Sequence, residues 1–279
     1  MAEQPNVLLN VTNRAENVLV VREMLTGVAC AMTLGENEIN DILTAVTEAC
    51  NNVVLHAYGD EGGPLEVEVM LARCALEVVV RDHGTGIKAR PVTDESALGI
   101  GLPVIRALVH RVELRDGPQG GTEVCMEFAA PSNDALDALL DAEQAELPTV
   151  AAGTSTSMST VAITPVELAR PVLPRILSTL AARAHFSTDR ISDMQLVGDA
   201  LVAHARKSLG ADHLRIAVSV EPRNLELRIG PLEAGRAQRL VGDSNLDGLG
   251  RIIEKLADRH SVASTGAHET LTLELADRR

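Results

Sequence analysis

Between Ile39 and Tyr58 the chain places Ile42, Val46, Ala49, Cys50, Val53 and Ala57 at helical spacing, which predicts a helix with one apolar stripe. Glu48 and Asn52, four residues apart, share a face off that stripe. On its own such a pair is most often a solvated helix surface. Around it the pattern predicts a strand over Asn6 to Thr12 and a helix over Glu16 to Met32, with Val18, Val21, Leu25 and Val28 inward and Gly35 breaking the chain. Gly62, Gly63 and Pro64 stop the central helix. Leu65 to Val69 then alternates as a half-buried strand, and Leu76 to Arg81 is a second β-branched run that pairs with it as a hairpin.

That second run enters a glycine-bearing turn, Asp82-His83-Gly84-Thr85-Gly86-Ile87, followed by a polar loop, Lys88 to Ala97. Leu98-Gly99-Ile100-Gly101-Leu102 leads into a helix whose first turn holds Pro103, where a missing N–H costs nothing. Leu102, Ile105, Leu108, Val109 and Val112 are its expected core face, and Thr122 to Phe128 is the closing strand. Helices and a mixed sheet are thus segregated, an α+β two-layer sandwich.

A length of 279 residues favours two domains. The expected division is a first domain at 1–130, an acidic then flexible connection at 131–160, and a second domain at 161–279. No run reaches the roughly 20 apolar residues of a membrane span, and the N-terminus has neither the basic start nor the apolar core of a signal peptide, so a cytoplasmic protein without membrane contact is expected. Cys30, Cys50, Cys74 and Cys125 are widely spaced in apolar contexts, which predicts buried free thiols. Of the net charge of −14, most falls on residues 1 to 128, with 9 basic and 19 acidic side chains. Together with only three aromatic residues, this disfavours direct nucleic-acid binding.

The chain also matches itself at an offset of 151. Asp199 then stands opposite Glu48 and Ala203 opposite Asn52, Leu225 to Ile229 matches the strand before the glycine turn, and Gly248-Leu249-Gly250 matches Gly99-Ile100-Gly101. The expectation is a tandem duplication whose second copy has lost the polar set, with Ile229 in the place of Asp82.

Glycines after a strand, and again at a helix start, let backbone N–H groups approach phosphates. The amide of Asn52 suits a magnesium shell shared with phosphates, the carboxylate of Glu48 can take a proton from an attacking hydroxyl, and Asp82 can accept from the exocyclic amine of adenine. Gly84 to Ala89 also fits GxGxxG/A, but Pro91 interrupts the helix a dinucleotide fold needs, and the chain has no GxxxxGK[ST].

Glu48-Ala49-Cys50-Asn51-Asn52 with His56-Ala57-Tyr58, Asp82 to Ile87, Gly99 to Gly101 and Gly121-Thr122 stand in the order and spacing of the EAxxN, DxGxG, GxG and GT motifs. Residues 6 to 128 therefore resemble the Bergerat-fold (GHKL) ATPases, and most closely the bacterial anti-sigma-factor serine kinases. The resemblance implies that Asn52 coordinates magnesium, that Glu48 is the general base, and that Asp82 binds adenine. It further implies that Gly84, Gly86, Ile87, Gly99, Gly101, Leu102 and Thr122 line the pocket for ATP, and that Arg22 contacts protein partners. The implied activity is ATP- and Mg2+-dependent phosphorylation of a STAS-type anti-anti-sigma protein, with sequestration of a sigma factor. Alternatives are a nucleotide-gated binding protein that transfers no phosphate and a histidine-kinase-type ATPase module. Because members of this family dimerise, a homodimer or an intramolecular pseudodimer is implied as well.

Overall fold

The computed structural model describes residues 4–59, 62–84, 101–118, 120–131, 133–142, 147, 158–209, 213–246 and 248–278. They fall into two compact units, one within 4–141 and the other within 158–278. The polar loop Lys88 to Ala97, together with Gly86, Ile87 and Gly99, lies outside the described residues.

The first unit runs β1 (Val7–Thr12), α1 (Ala15–Ala31), α2 (Glu36–Asn52), a π-helical turn (Val53–Ala57), β2 (Pro64–Ala72), β3 (Ala75–Asp82), α3 (Gly101–Leu108), β4 (Arg111–Asp116), β5 (Thr122–Ala129) and α4 (Asp134–Asp141). Its strands form one sheet in the order β1-β2-β3-β5-β4, and every pairing is antiparallel rather than mixed. This is the α+β sandwich expected. Leu65, Val67 and Val69 of β2 and Leu76, Val78 and Val80 of β3 point to one buried face, as the period of two requires. Val18, Val21, Leu25 and Val28 of α1 and Ile42, Val46, Ala49 and Cys50 of α2 are buried as well.

On the other face a polar row crosses the strands in register: Asn10 opposite Glu66, Glu66 opposite Arg81, Arg81 opposite Glu123. The Arg81 guanidinium reaches Glu68 at 2.8 Å, Glu66 at 3.3 Å and Glu123 at 2.5 Å. Burial opposes its charge, but the hydrogen bonds and charges of Glu68 and Glu123 outweigh burial and hold the group above its ordinary range.

Three readings of the pattern change. The helix expected to carry Val112 ends at Leu108, and Val112 sits in β4 opposite Met126. The helical part of the acidic stretch after residue 130 belongs to the first unit: Asn133 accepts from the Leu136 N–H as a helix cap and donates to the Met32 carbonyl, and Arg73 bridges to Asp137 and Asp141. All four cysteines are free, but only Cys50 and Cys125 are buried, since Cys30 lies on the outer side of α1 and Cys74 in the β2–β3 turn.

The second unit runs β6 (Met158–Ile163), a 3-10 turn (Val166–Leu168), α5 (Ala169–Arg183), α6 (Thr188–Leu209), β7 (Leu214–Glu221), β8 (Asn224–Glu233), α7 (Arg236–Asp243), β9 (Asn245–Leu246), β10 (Gly250–Arg251), α8 (Ile252–Leu256), β11 (Arg259–Thr265) and β12 (His268–Ala276). Its main strands follow the order β6-β7-β8-β12-β11, the same plan as the first unit. The two helix corners correspond bond for bond. Leu34 N–H donates to Ala29 and Phe186 N–H to Ala181, around the left-handed residues Thr33 and His185. That fixes a shift of 152 between the helix pairs. Glu48 therefore corresponds to Ala200 and Asn52 to His204, one residue on from the positions that offset 151 predicts, and Arg22 corresponds to Pro174. In the hairpins, Ala72 faces Ala75 and Glu221 faces Asn224 across equal two-residue turns. Counting along β8 from that turn, Ile229 matches Val80 and the residue at the Asp82 position is Pro231.

Leu136 is fully buried on α4. Leu136→Ala is expected to destabilise the first unit by about 2–4 kcal/mol, seen as an earlier first transition in urea unfolding.

Candidate functional site

The apolar stripe of α2 goes into the core and leaves Glu48 and Asn52 half-buried at its edge. α3 packs against α2, and its first residue meets that edge. A Cβ on Gly101 would stand 3.0 Å from Glu48 Oε2 and 3.5 Å from Asn52 Nδ2. The acid and the amide thus converge on Gly101, the first described residue of α3. Leu102, the next residue, is half-buried there.

Asp82 ends β3, only 4% exposed, in a cradle of glycines. Its Oδ1 accepts the Gly84 N–H at 2.8 Å. A Cβ on Gly84 would overlap the Ala57 carbonyl, and one on Gly121 would overlap the Asp82 carbonyl. Gly121 also has φ +82, which L side chains rarely adopt. Thr122 follows it, paired with Asp116 across β4 and β5. Gly84, Asp82, Gly121 and Thr122 therefore gather at the end of β3. Glu48, Asn52, Gly101 and Leu102 gather at the α2–α3 contact.

Arg22 is engaged within the unit. Its guanidinium donates to the Leu43 carbonyl at 3.3 Å and to Thr47 Oγ1 at 2.8 Å, tying α1 to α2 one residue before Glu48.

Tyr58, in sequence only the tail of the first motif, joins the two halves of the site. Its hydroxyl donates to the Pro64 carbonyl at 2.7 Å and accepts the His83 N–H at 2.6 Å. No helical or strand period flags it, since one partner opens β2 and the other follows the end of β3. The His83 ring places Nε2 3.2 Å from Glu66 Oε1, outside hydrogen-bond alignment. Burial pushes the Tyr58 hydroxyl up to about 12, the His83 N–H opposes this, and the carboxylates of Asp82 and Glu66 add to it. Cys50, on the buried face of α2, is pushed up to about 12 by burial alone, so its thiol is inert. Among the described residues no three His, Cys, Asp or Glu side chains are grouped to hold a metal ion. A lone amide oxygen beside a helix start instead suits magnesium, which is commonly held by one or two protein groups plus substrate phosphates.

The histidine kinase-like ATPase domain family matches residues 11–128. A serine-protein kinase RsbW of Halalkalibacterium halodurans is 33% identical over 127 residues, covering 40% of this chain and 78% of the relative. The chain belongs to this family. Serine-protein kinases RsbW of Bacillus thuringiensis and of Bacillus cereus strain AH820 are each 28% identical over 119 residues, covering 38% of this chain and 74% of the relative. The histidine kinase-like ATPase match falls on the first unit, which carries Glu48, Asn52, Asp82 and Gly101. In the second unit the corresponding positions are Ala200, His204 and Pro231, and His204 Nε2 lies 2.9 Å from the Asn245 carbonyl. No helix of the described residues is long and apolar enough to cross a membrane.

Tyr58 is the only tyrosine and the chain has no tryptophan. Ultraviolet titration of the folded chain should therefore report this one phenol, with a midpoint near 12 against about 10 for a tyrosine in the unfolded chain. Folding raises the pKa, so the unfolded chain loses the proton first and stability falls as pH rises from about 10 towards 12.

Proposed function

We propose that the first unit is an ATP- and magnesium-dependent protein serine/threonine kinase that phosphorylates a STAS-type anti-anti-sigma protein, and that the chain also sequesters a sigma factor. The observation that carries this reading is the convergence of Glu48 and Asn52 on Gly101 of α3, where a Cβ would stand 3.0 Å from Glu48 Oε2. ATP with magnesium would supply the transferable phosphoryl group. The residues fit that cofactor: Asn52 is a neutral oxygen donor for magnesium, Gly101 has no side chain to separate α3 from Glu48 and Asn52, and Asp82 is an acceptor for the adenine amine.

Glu48 in this reading accepts the proton of the incoming serine or threonine hydroxyl. Arg22, braced on Thr47, would present its remaining donors to a protein partner beside the site. The excess of acidic side chains over residues 1 to 128 would steer basic surfaces towards the unit. The second unit, a duplicate by its order of elements, would keep the scaffold without binding ATP, because Ala200 and Pro231 offer neither base nor acceptor.

The test is incubation of the full chain with labelled ATP, magnesium and candidate STAS proteins. Glu48→Ala is expected to lower phosphotransfer by about 10²–10⁴-fold while ATP still binds. Asn52→Ala is expected to weaken magnesium-dependent ATP binding by about tenfold or more. Unchanged ATP binding by the Asn52 variant would refute the magnesium assignment, and nucleotide binding without any transfer by the wild type would favour a nucleotide-gated binding protein.

A further inference from the structure

Asp82 and the Glu48–Asn52 pair stand on different elements, so their relative placement needs a cross-brace. Sequence connection cannot supply it, because the path from Asn52 to Asp82 runs through the π-helical turn and the whole β2–β3 hairpin. Tyr58 closes that path. Its chain position is fixed to α2 through the π-helical turn that follows directly on Asn52. Its hydroxyl binds both strands of the hairpin at once, accepting from His83 next to Asp82 and donating to Pro64 at the start of β2. Its ring lies against Gly63, where a Cβ would overlap three ring carbons. Beside it the Ala57 carbonyl sits against Gly84, whose N–H holds Asp82 Oδ1.

We infer that Tyr58 is a positioning residue that sets the Asp82 carboxylate for recognition of the purine amine, and so contributes to the choice of adenine over a purine without that amine. The inference rests on the nucleotide reading of the site. Its physical content is that the His83 N–H, half-buried beside Asp82, loses its protein acceptor when the hydroxyl goes, so the turn relaxes and the carboxylate moves with it. A residue that only filled space would weaken every purine nucleotide alike.

The experiment measures the affinities of the full chain for ATP and ITP, which differ in the exocyclic amine, in the wild type, Tyr58→Phe, Gly63→Ala and Asp82→Asn. Tyr58→Phe keeps the ring and removes both hydrogen bonds, whereas Gly63→Ala keeps the hydroxyl and displaces the ring that carries it. The expected result is a preference for ATP in the wild type, lost in Asp82→Asn and reduced about fivefold in Tyr58→Phe, with Gly63→Ala changing in the same direction. Circular dichroism identifies folded variants, and Gly63→Ala decides the matter where Tyr58→Phe fails to fold. Loss of preference in Asp82→Asn with the wild-type ratio intact in folded Tyr58→Phe and Gly63→Ala would overturn the brace alone. An unchanged ratio in Asp82→Asn would overturn the adenine assignment of the site and the brace with it.

Discussion

The first unit depends on burying one stripe of α2. Ile42, Val46, Ala49 and Cys50 are almost fully withdrawn from solvent, each contributing roughly 25 cal/mol per Å2 of apolar surface buried. With 3.6 residues per turn, that burial leaves no freedom in where the other side chains point. Glu48 and Asn52 must emerge together at the rim, one turn apart. The core thus aims the polar pair, and no separate device is needed to orient it. What remains is to bring something to that rim, and Gly101 does this because it has no side chain to keep α3 away.

The second constraint is how closely backbones approach at the end of β3. Gly84 lies against the Ala57 carbonyl and Gly121 against the Asp82 carbonyl, so the strand end, the π-helical turn and the start of β5 meet with no side chain between them. Close contact of this kind brings carbonyl groups together and needs fixed donors. Gly84 supplies one to Asp82, and His83 supplies one to Tyr58. Farther along the same strand, Arg81 gathers Glu66, Glu68 and Glu123 across the sheet. Taking Arg81 from this partly buried cluster leaves three carboxylates without their shared cation, so the value of the cluster lies in fixing strand register more than in net stability.

The sequence made α1, α2, the β2–β3 hairpin and β5 legible because each carries a clear period and a glycine or proline boundary. β4 was hidden for a physical reason: only Val109 and His110 separate it from α3, and neither is a turn residue, so Val112 continued the helical count. The site residues were legible as types at a spacing, since glycine and carboxylate patterns are local. Tyr58 was not, because its two hydrogen bonds depend on where the hairpin folds back. Register within the second unit slipped for a related reason. The residues that anchor the helix corners, Thr33 and His185, occupy a left-handed conformation usually marked by glycine or asparagine, so neither announces the turn.

Corrected register gives the second unit a sharper meaning. Burial is retained at the matching core positions, with Met194, Val197, Leu201 and Ala205 standing where Ile42, Ala45, Ala49 and Val53 stand in the first unit. The polar rim is not retained: Ala200, His204 and Pro231 replace Glu48, Asn52 and Asp82, and Pro174 replaces Arg22. A half-buried carboxylate or amide facing a glycine contributes little to folding and carries a desolvation cost. Apolar stripes, in contrast, are required by any sequence that adopts this order of strands and helices. The polar residues at the α2 rim and at the end of β3 are therefore ones whose chemistry the fold itself does not need, and their loss from the second unit is the physical reason the proposed activity is assigned to the first.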